Sequence, residues 1–139
     1  SLGCIHKGGT SIIQDVVDYA KPVEKKGLVI MDTPGNDPSS IAGMIAGGAQ
    51  IILFTSGRGT PTGNPIAPVI KISGNRITYE NMKDNIDIDA SHVIYGPESL
   101  EELGEMILKE VIDVASGKLV KAEILGFIET SVMRICNYA

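Results

Sequence analysis

Residues 28–58, LVIMDTPGNDPSSIAGMIAGGAQIILFTSGR, constrain this chain more than any other stretch. Two short apolar runs, residues 28–31 and 51–54, flank a helical pattern, and each ends in a small, polar, glycine-bearing turn. The turns are Asp32-Thr33-Pro34-Gly35-Asn36 and Thr55-Ser56-Gly57-Arg58-Gly59. Short continuous runs rich in Val and Ile mark strands covered on both faces, as in parallel sheets. A strand–helix–strand unit of this kind crosses over with a right hand. If the two strands run parallel in one sheet, both turns emerge at its carboxyl edge, where open α/β sheets hold their ligands.

The whole chain, 139 residues with 43% hydrophobic content, suits a single α/β domain over residues 1–139. The expected architecture is a Rossmann-like layered fold, a mostly parallel sheet flanked by helices. Net charge is -5, which argues against a broad surface for tracking nucleic-acid phosphates. Aromatics make up only 4% of the chain and Trp is absent, so stacking platforms for bases or sugars are not expected. No apolar run approaches the roughly 20 residues that a membrane crossing needs. Cys4 and Cys136 lie far apart without a C-x-x-C spacing, a usage that fits a reducing cytoplasm. The first residues, Ser1-Leu2-Gly3, lack Met and read as the start of a piece of something longer.

Elsewhere along the chain, Thr10 or Ser11 can cap a helix over residues 12–20, closed by Pro22 and the Lys25-Lys26-Gly27 turn. Asp37-Pro38 reads as a cap and a first-turn proline, with Ile41, Met44 and Ile45 at helical spacing and Gly47-Gly48 as the stop. Residues 56–66 hold too much Gly and Pro for regular structure. Residues 67–73 predict an alternating strand carrying Lys71, residues 75–85 a short helix, 84–89 an acidic turn and 92–95 a fourth strand. Residues 99–115 predict the clearest helix: Pro97 precedes it, glutamates crowd its first turns, and Leu103, Ile107, Val111 and Val114 share a face. The last 20 residues show no clean period.

Chemistry concentrates at the two turns. Residues 32–36 put a carboxylate and a hydroxyl at a strand end, just before a helix N-terminus whose free N–H groups favour an anion. Ordinary turn-and-cap chemistry accounts for the same residues. The Ser56-Gly57-Arg58-Gly59 turn is the sharper signal, because glycines admit close backbone approach and Arg offers a planar fork to a carboxylate. The glycines at 57, 59 and 63 do not have the spacing of a dinucleotide fingerprint, and no Walker A pattern exists, so neither NAD nor ATP is expected. Lys71 can be a polar residue on a half-exposed strand face, or it can reach the cleft as a clamp or base. Asp84, Asp87 and Asp89 carry hard oxygens suited to a divalent cation, but they lack the glycine and terminal glutamate of an EF-hand loop, and a solvated acidic turn is the commoner explanation of such a pattern. Cys4 with His6 is half a metal site without a second pair, and His92 beside an apolar run reads as structural.

Taken together, these segments resemble the carboxyl-terminal region of the altronate dehydratase / D-galactarate dehydratase family of sugar-acid hydro-lyases. The likeness is carried by Ser1-Leu2-Gly3 with Lys7-Gly8-Gly9, Met31-Asp32-Thr33-Pro34-Gly35, Ala46-Gly47-Gly48-Ala49, residues 54–61, Pro68 with Lys71, and residues 82–89. It spans nearly the whole chain. Ser91 stands where many relatives have glycine, and the tail after Gly126 departs from the pattern.

The resemblance implies loss of water from a sugar acid to give a 2-keto-3-deoxy acid. It also implies a divalent metal, typically Fe²⁺, in the full-length enzyme, and a separate amino-terminal domain as partner. In such a reaction Arg58 and the Asp37-Pro38 helix start would clamp the substrate carboxylate. Asp32, Thr33 and Ser56 would bind hydroxyls or metal-bound water, with Gly35, Asn36, Thr55, Gly57 and Gly59 lining the site. Lys71 would stabilise charge or move a proton, and Asp84 and Asp87 are weak metal candidates. Alone, the fragment is expected to fold without activity. Two other readings fit the same residues: a sulfo-lyase acting on sulfolactate, and a non-catalytic module that binds an organic anion or holds a homo-oligomer together.

Overall fold

A computed structural model describes residues 6–131. Strands β1 (Ile13–Val17) and β2 (Leu28–Met31) pair in parallel as a two-stranded sheet. After α1 (Asp37–Ala46) come β3 (Ile52–Thr55) and β4 (Val69–Ser73). Next are α2 (Arg76–Asn81), β5 (Ile88–Asp89) and the single turn α3 (His92–Tyr95). The long helix α4 (Leu100–Ala115) and the short α5 (Lys121–Ile124) complete the described elements. The second sheet is parallel in the order β3-β4-β5, with Lys71 opposite Phe54 and Ile72 opposite Ile88.

β4 is the centre of the fold, and all five of its residues are buried. Side chains alternate across a strand, and the packing follows that rule on both sides of β4. Val69 joins Ile52 and Ile41 of α1, with Phe54, Met44 and Ile45 against them. Ile70 and Ile72 join Ile88, Val114, Val120 and Ala122, with Leu103, Ile107 and Val111 of α4 closing that side. The result is a layered α/β domain with parallel strands between helices. At about 25 cal/mol per Å² of apolar area, each fully buried Ile or Val contributes roughly 1.5–3 kcal/mol.

Caps set the helix boundaries. Asn36, not Asp37, is the N-cap of α1: its side chain accepts from the Ser39 N–H at 3.3 Å and the Ser39 hydroxyl at 3.0 Å. Ser99 and Glu102 form a reciprocal capping box at the start of α4, at 3.2 and 2.8 Å.

Three expectations are corrected. Residues 13–17 are a strand, because β-branched Ile13, Val16 and Val17 favour extended backbone and β2 supplies a partner. Residues 92–95 are a helical turn, not a strand. The ladder ends where the Ala90 N–H meets the Ser73 carbonyl, and the Asp89 carboxylate then accepts from Ser91 and turns the chain. Finally, β2 and β3 do not share a hydrogen-bonded sheet: β2 pairs with β1, and β3 with β4. The shared sheet edge expected for the two turns is therefore divided between two strand pairs. Among the described residues, no helix is long and apolar enough to cross a membrane.

Candidate functional site

The turn after β3 is built around Ser56. Its backbone N–H continues the ladder to the Ile72 carbonyl at 2.9 Å, and its hydroxyl accepts from the Gly59 N–H at 2.9 Å. The Gly57 carbonyl accepts from the Thr78 hydroxyl of α2 at 2.8 Å. Both ends of the turn are thus fixed while its tip, Gly57-Arg58, stays exposed. Among the described residues, Arg58 is in none of the ion pairs. An exposed cation on a tied turn at a strand's carboxyl end can meet an anion with little ordering cost.

The two glycines of this turn differ in kind. Gly59 has φ +78, and a Cβ there would strike Met82 and the Thr78 methyl, so the chain itself demands glycine. Gly57 has no such requirement: among the described residues, a Cβ there would meet nothing within 4 Å. That free space lies beside Arg58, where a ligand could approach the backbone. Gly35 in the other turn is similarly unobstructed.

Beyond Gly59 the chain folds over Lys71. Its side chain is 2% exposed, and Nζ donates to the carbonyls of Pro61 at 3.3 Å and Thr62 at 3.4 Å. Burial pushes the ammonium below the usual lysine range, with the Asp87 carboxylate partly offsetting it. Lys71 is therefore neither on a half-exposed face nor open to a cleft. It lies beneath the loop. Buried Thr60 and Asn64 complete this inner layer, through the Thr60–Thr62 hydroxyl pair at 2.7 Å and the Ile66 N–H on Asn64 at 2.9 Å.

The other predicted residues fall elsewhere. Asp32 is exposed just past β2, its N–H bonded to the Val17 carbonyl at 2.9 Å. Thr33 accepts from the Ser40 hydroxyl at 2.9 Å. Thr33 also lines a cavity of about 460 Å³, walled by the side chains of Val23, Val29, Met31 and Met44 and by the Gly47-Gly48 backbone. The N-terminus of α1 offers less to an anion than the sequence suggests. Pro38 has no N–H, Asn36 satisfies Ser39, and the Asp37 carboxylate stands beside what remains. Thr55 closes β3, opposite Ile72. Among the described residues, the hydrogen bonds join Ser56–Gly59 to Thr78, and Lys71 to Pro61, Thr62 and Asp87. None joins either group to residues 32–36.

Asp87 has a structural task. One oxygen accepts the Lys71 N–H at 2.7 Å and the other the Lys121 N–H at 2.9 Å, tying β4 to the start of α5. Asp84 is exposed. Among the described residues, no three His, Cys, Asp or Glu side chains converge as a metal site. The metal implied by the resemblance does not fit these residues. The Cys4–His6 half-site includes Cys4, which lies outside the described residues.

Sequence reasoning missed Thr78, Thr60, Thr62 and Ser40. Only Asn64, in an Asn-Pro pair that favours turns, carried a local signal. Thr78 acts across 21 positions, a relationship without a sequence signature.

The altronate dehydratase of Bacillus subtilis is 38% identical over 138 residues, covering 96% of this chain and 27% of the relative. The altronate dehydratase of Escherichia coli is 33% identical, with the same coverages of 96% and 27%. The (2R)-sulfolactate sulfo-lyase subunit beta of Chromohalobacter salexigens is 33% identical over 140 residues, covering all of this chain and 36% of the relative. The chain thus spans only about a quarter of the length of the altronate dehydratases it matches, at 27%. The family model described as D-galactarate/Altronate dehydratase, C-terminal, matches residues 1–137, and with these relatives it establishes that the chain belongs to that family.

Proposed function

We propose that this chain is the carboxyl-terminal portion of a cytoplasmic hydro-lyase that dehydrates a sugar acid of the altronate or galactarate type to a 2-keto-3-deoxy acid. The observation that carries the site is Arg58, exposed on a turn fixed by Ser56 and Thr78 beside the unobstructed Gly57. Loss of the proton next to a carboxylate moves negative charge onto that carboxylate, as an enediolate. A guanidinium held at the carboxylate stabilises that charge more as it grows, which lowers the barrier. The Gly57 backbone beside it allows the substrate to lie close. Ser56 and Thr55 supply hydroxyls at the same strand end.

The remaining machinery belongs to the rest of the enzyme. Altronate dehydratases are nearly four times as long as this match, judged by the 27% coverage. A divalent metal, Fe²⁺ by family resemblance, would be held there, since among the described residues the carboxylates form no cluster and Asp87 is engaged by two N–H groups. A cover is also needed physically. Parallel sheets are normally buried on both faces, yet around β1 and β2 Ile12, Val16 and Ile30 are exposed by 79%, 66% and 44%. We assign that surface to contact with the amino-terminal part.

The full coverage of this chain by a sulfolactate sulfo-lyase subunit supports a second reading in which the leaving group is sulfite. The test is a dehydration assay on the full-length parent protein with altronate, galactarate and sulfolactate, each with and without Fe²⁺. Keto-acid formation from one sugar acid is the expected result. Sulfite release would select the second reading. No turnover, with saturable binding of these anions, would mark a non-catalytic binding module.

A further inference from the structure

Lys71 is a buried cation without a buried anion in ion-pair contact: among the described residues it forms no salt bridge. Its ammonium meets the carbonyls of Pro61 and Thr62 at 3.3 and 3.4 Å. Two long bonds to neutral acceptors return less than desolvating an ammonium costs, and a methionine would fill the same space without that cost. Stability therefore does not account for a lysine here. Geometry does. An ammonium draws two successive carbonyls inward, which fixes the peptide planes on either side of Thr62.

The surrounding loop is built to transmit that constraint. Pro61 and Pro65 stiffen it. Gly63 packs so closely on the Phe127 carbonyl and Ala122 that no side chain fits. Thr60 and Asn64 are buried, and both are engaged within the loop. It follows directly on the Ser56–Gly59 turn that carries Arg58.

We propose that Lys71 is a positioning residue which holds the loop of residues 59–64 from beneath, and so sets the direction in which Arg58 is presented. The second half rests on the reading of Arg58 as the carboxylate clamp. Lys71 itself touches no substrate. The Asp87 carboxylate holds the Lys71 backbone in place, while the Lys71 side chain holds the loop.

The test compares wild type, Lys71→Met and Lys71→Gln in the full-length parent protein by hydrogen exchange. In Lys71→Met, the amides of residues 59–64 should exchange about tenfold faster or more while β4 amides keep their protection. Lys71→Gln, which can still donate to one carbonyl, should be intermediate, and it serves if the methionine variant does not fold. Unchanged exchange of the loop in a folded variant overturns the proposal. Exchange is read without turnover, so it decides the anchor even if the dehydratase reading fails. With turnover, Lys71→Met should lower kcat/KM while leaving both limbs of the pH profile in place, and adding it to Arg58→Ala should cost nothing further. Loss of one limb would overturn the positioning role in favour of proton transfer.

Discussion

Asp87 and Lys71 hold each other twice: the Lys71 N–H donates to the Asp87 carboxylate at 2.7 Å, and the Asp87 N–H donates to the Lys71 carbonyl at 2.9 Å. The second carboxylate oxygen takes the Lys121 N–H, so one side chain fastens the central strand to α5. Removing it strands two backbone donors, each worth about 1–3 kcal/mol when buried and unsatisfied. Asp87→Ala should therefore lower unfolding free energy by about 2–5 kcal/mol in urea titration. Asp84→Ala, on an exposed residue, should stay within about 0.5 kcal/mol. Equal effects would return Asp87 to the status of a surface carboxylate.

The two glycines of the Arg58 turn make opposite predictions. Gly57→Ala has room and an ordinary φ, so stability should hold or rise by about 0.4–1 kcal/mol. If a ligand packs on that backbone, the same change should weaken binding of the sugar acid by the parent protein. Gly59→Ala forces a side chain into φ +78 and into Met82, and should destabilise by more than about 1 kcal/mol. Thermal unfolding of the pair, with binding measured on Gly57→Ala, checks both.

Lys71 also predicts a pH dependence. Its folded pKa lies below the unfolded value of 10.5, because burial disfavours the ammonium. Between the two values the unfolded chain binds more protons than the folded one, so stability gains with rising pH in that window. Below it, both states are protonated and the burial cost is carried in full. Urea titrations from neutral pH to about 10 should show this alkaline gain in wild type relative to Lys71→Met. A difference that is flat or falls with pH would contradict the buried charge.

Much of the layered architecture was legible in local patterns: apolar runs at 28–31 and 51–54, the acidic first turn and apolar face of α4, and the Gly-Pro stretch that became the loop over Lys71. Two of the misses share one cause. Residues 13–17 carry helix-compatible spacing, and their strand depends on β2 as partner, which no local window contains. For the same reason, β2 and β3 read as sheet neighbours although each prefers another partner. In the candidate site, the turn that holds Ser56 and Arg58 was legible as a turn because glycines and a strand end mark it. The place of Lys71 was not, since burial by residues 61 and 62 is a property of how the loop folds back.

The exposed apolar surface around β1 and β2 should disappear in the full-length parent protein. Comparing this chain with the full-length parent by hydrogen exchange, residues 12–17 and 28–31 should gain protection while β4 changes little. Identical protection in both would mean that the amino-terminal part docks elsewhere.

The most direct test of the central claim is the turnover of Arg58 variants of the full-length parent protein on the sugar acid proposed as its substrate. A charge-assisted bond is worth about 1.5–3 kcal/mol, so Arg58→Ala should lower kcat/KM about 10- to 150-fold. Arg58→Lys should recover only part of the loss, because an ammonium lacks the planar fork. Wild-type turnover by Arg58→Ala would contradict the account and remove the turn after β3 from the site.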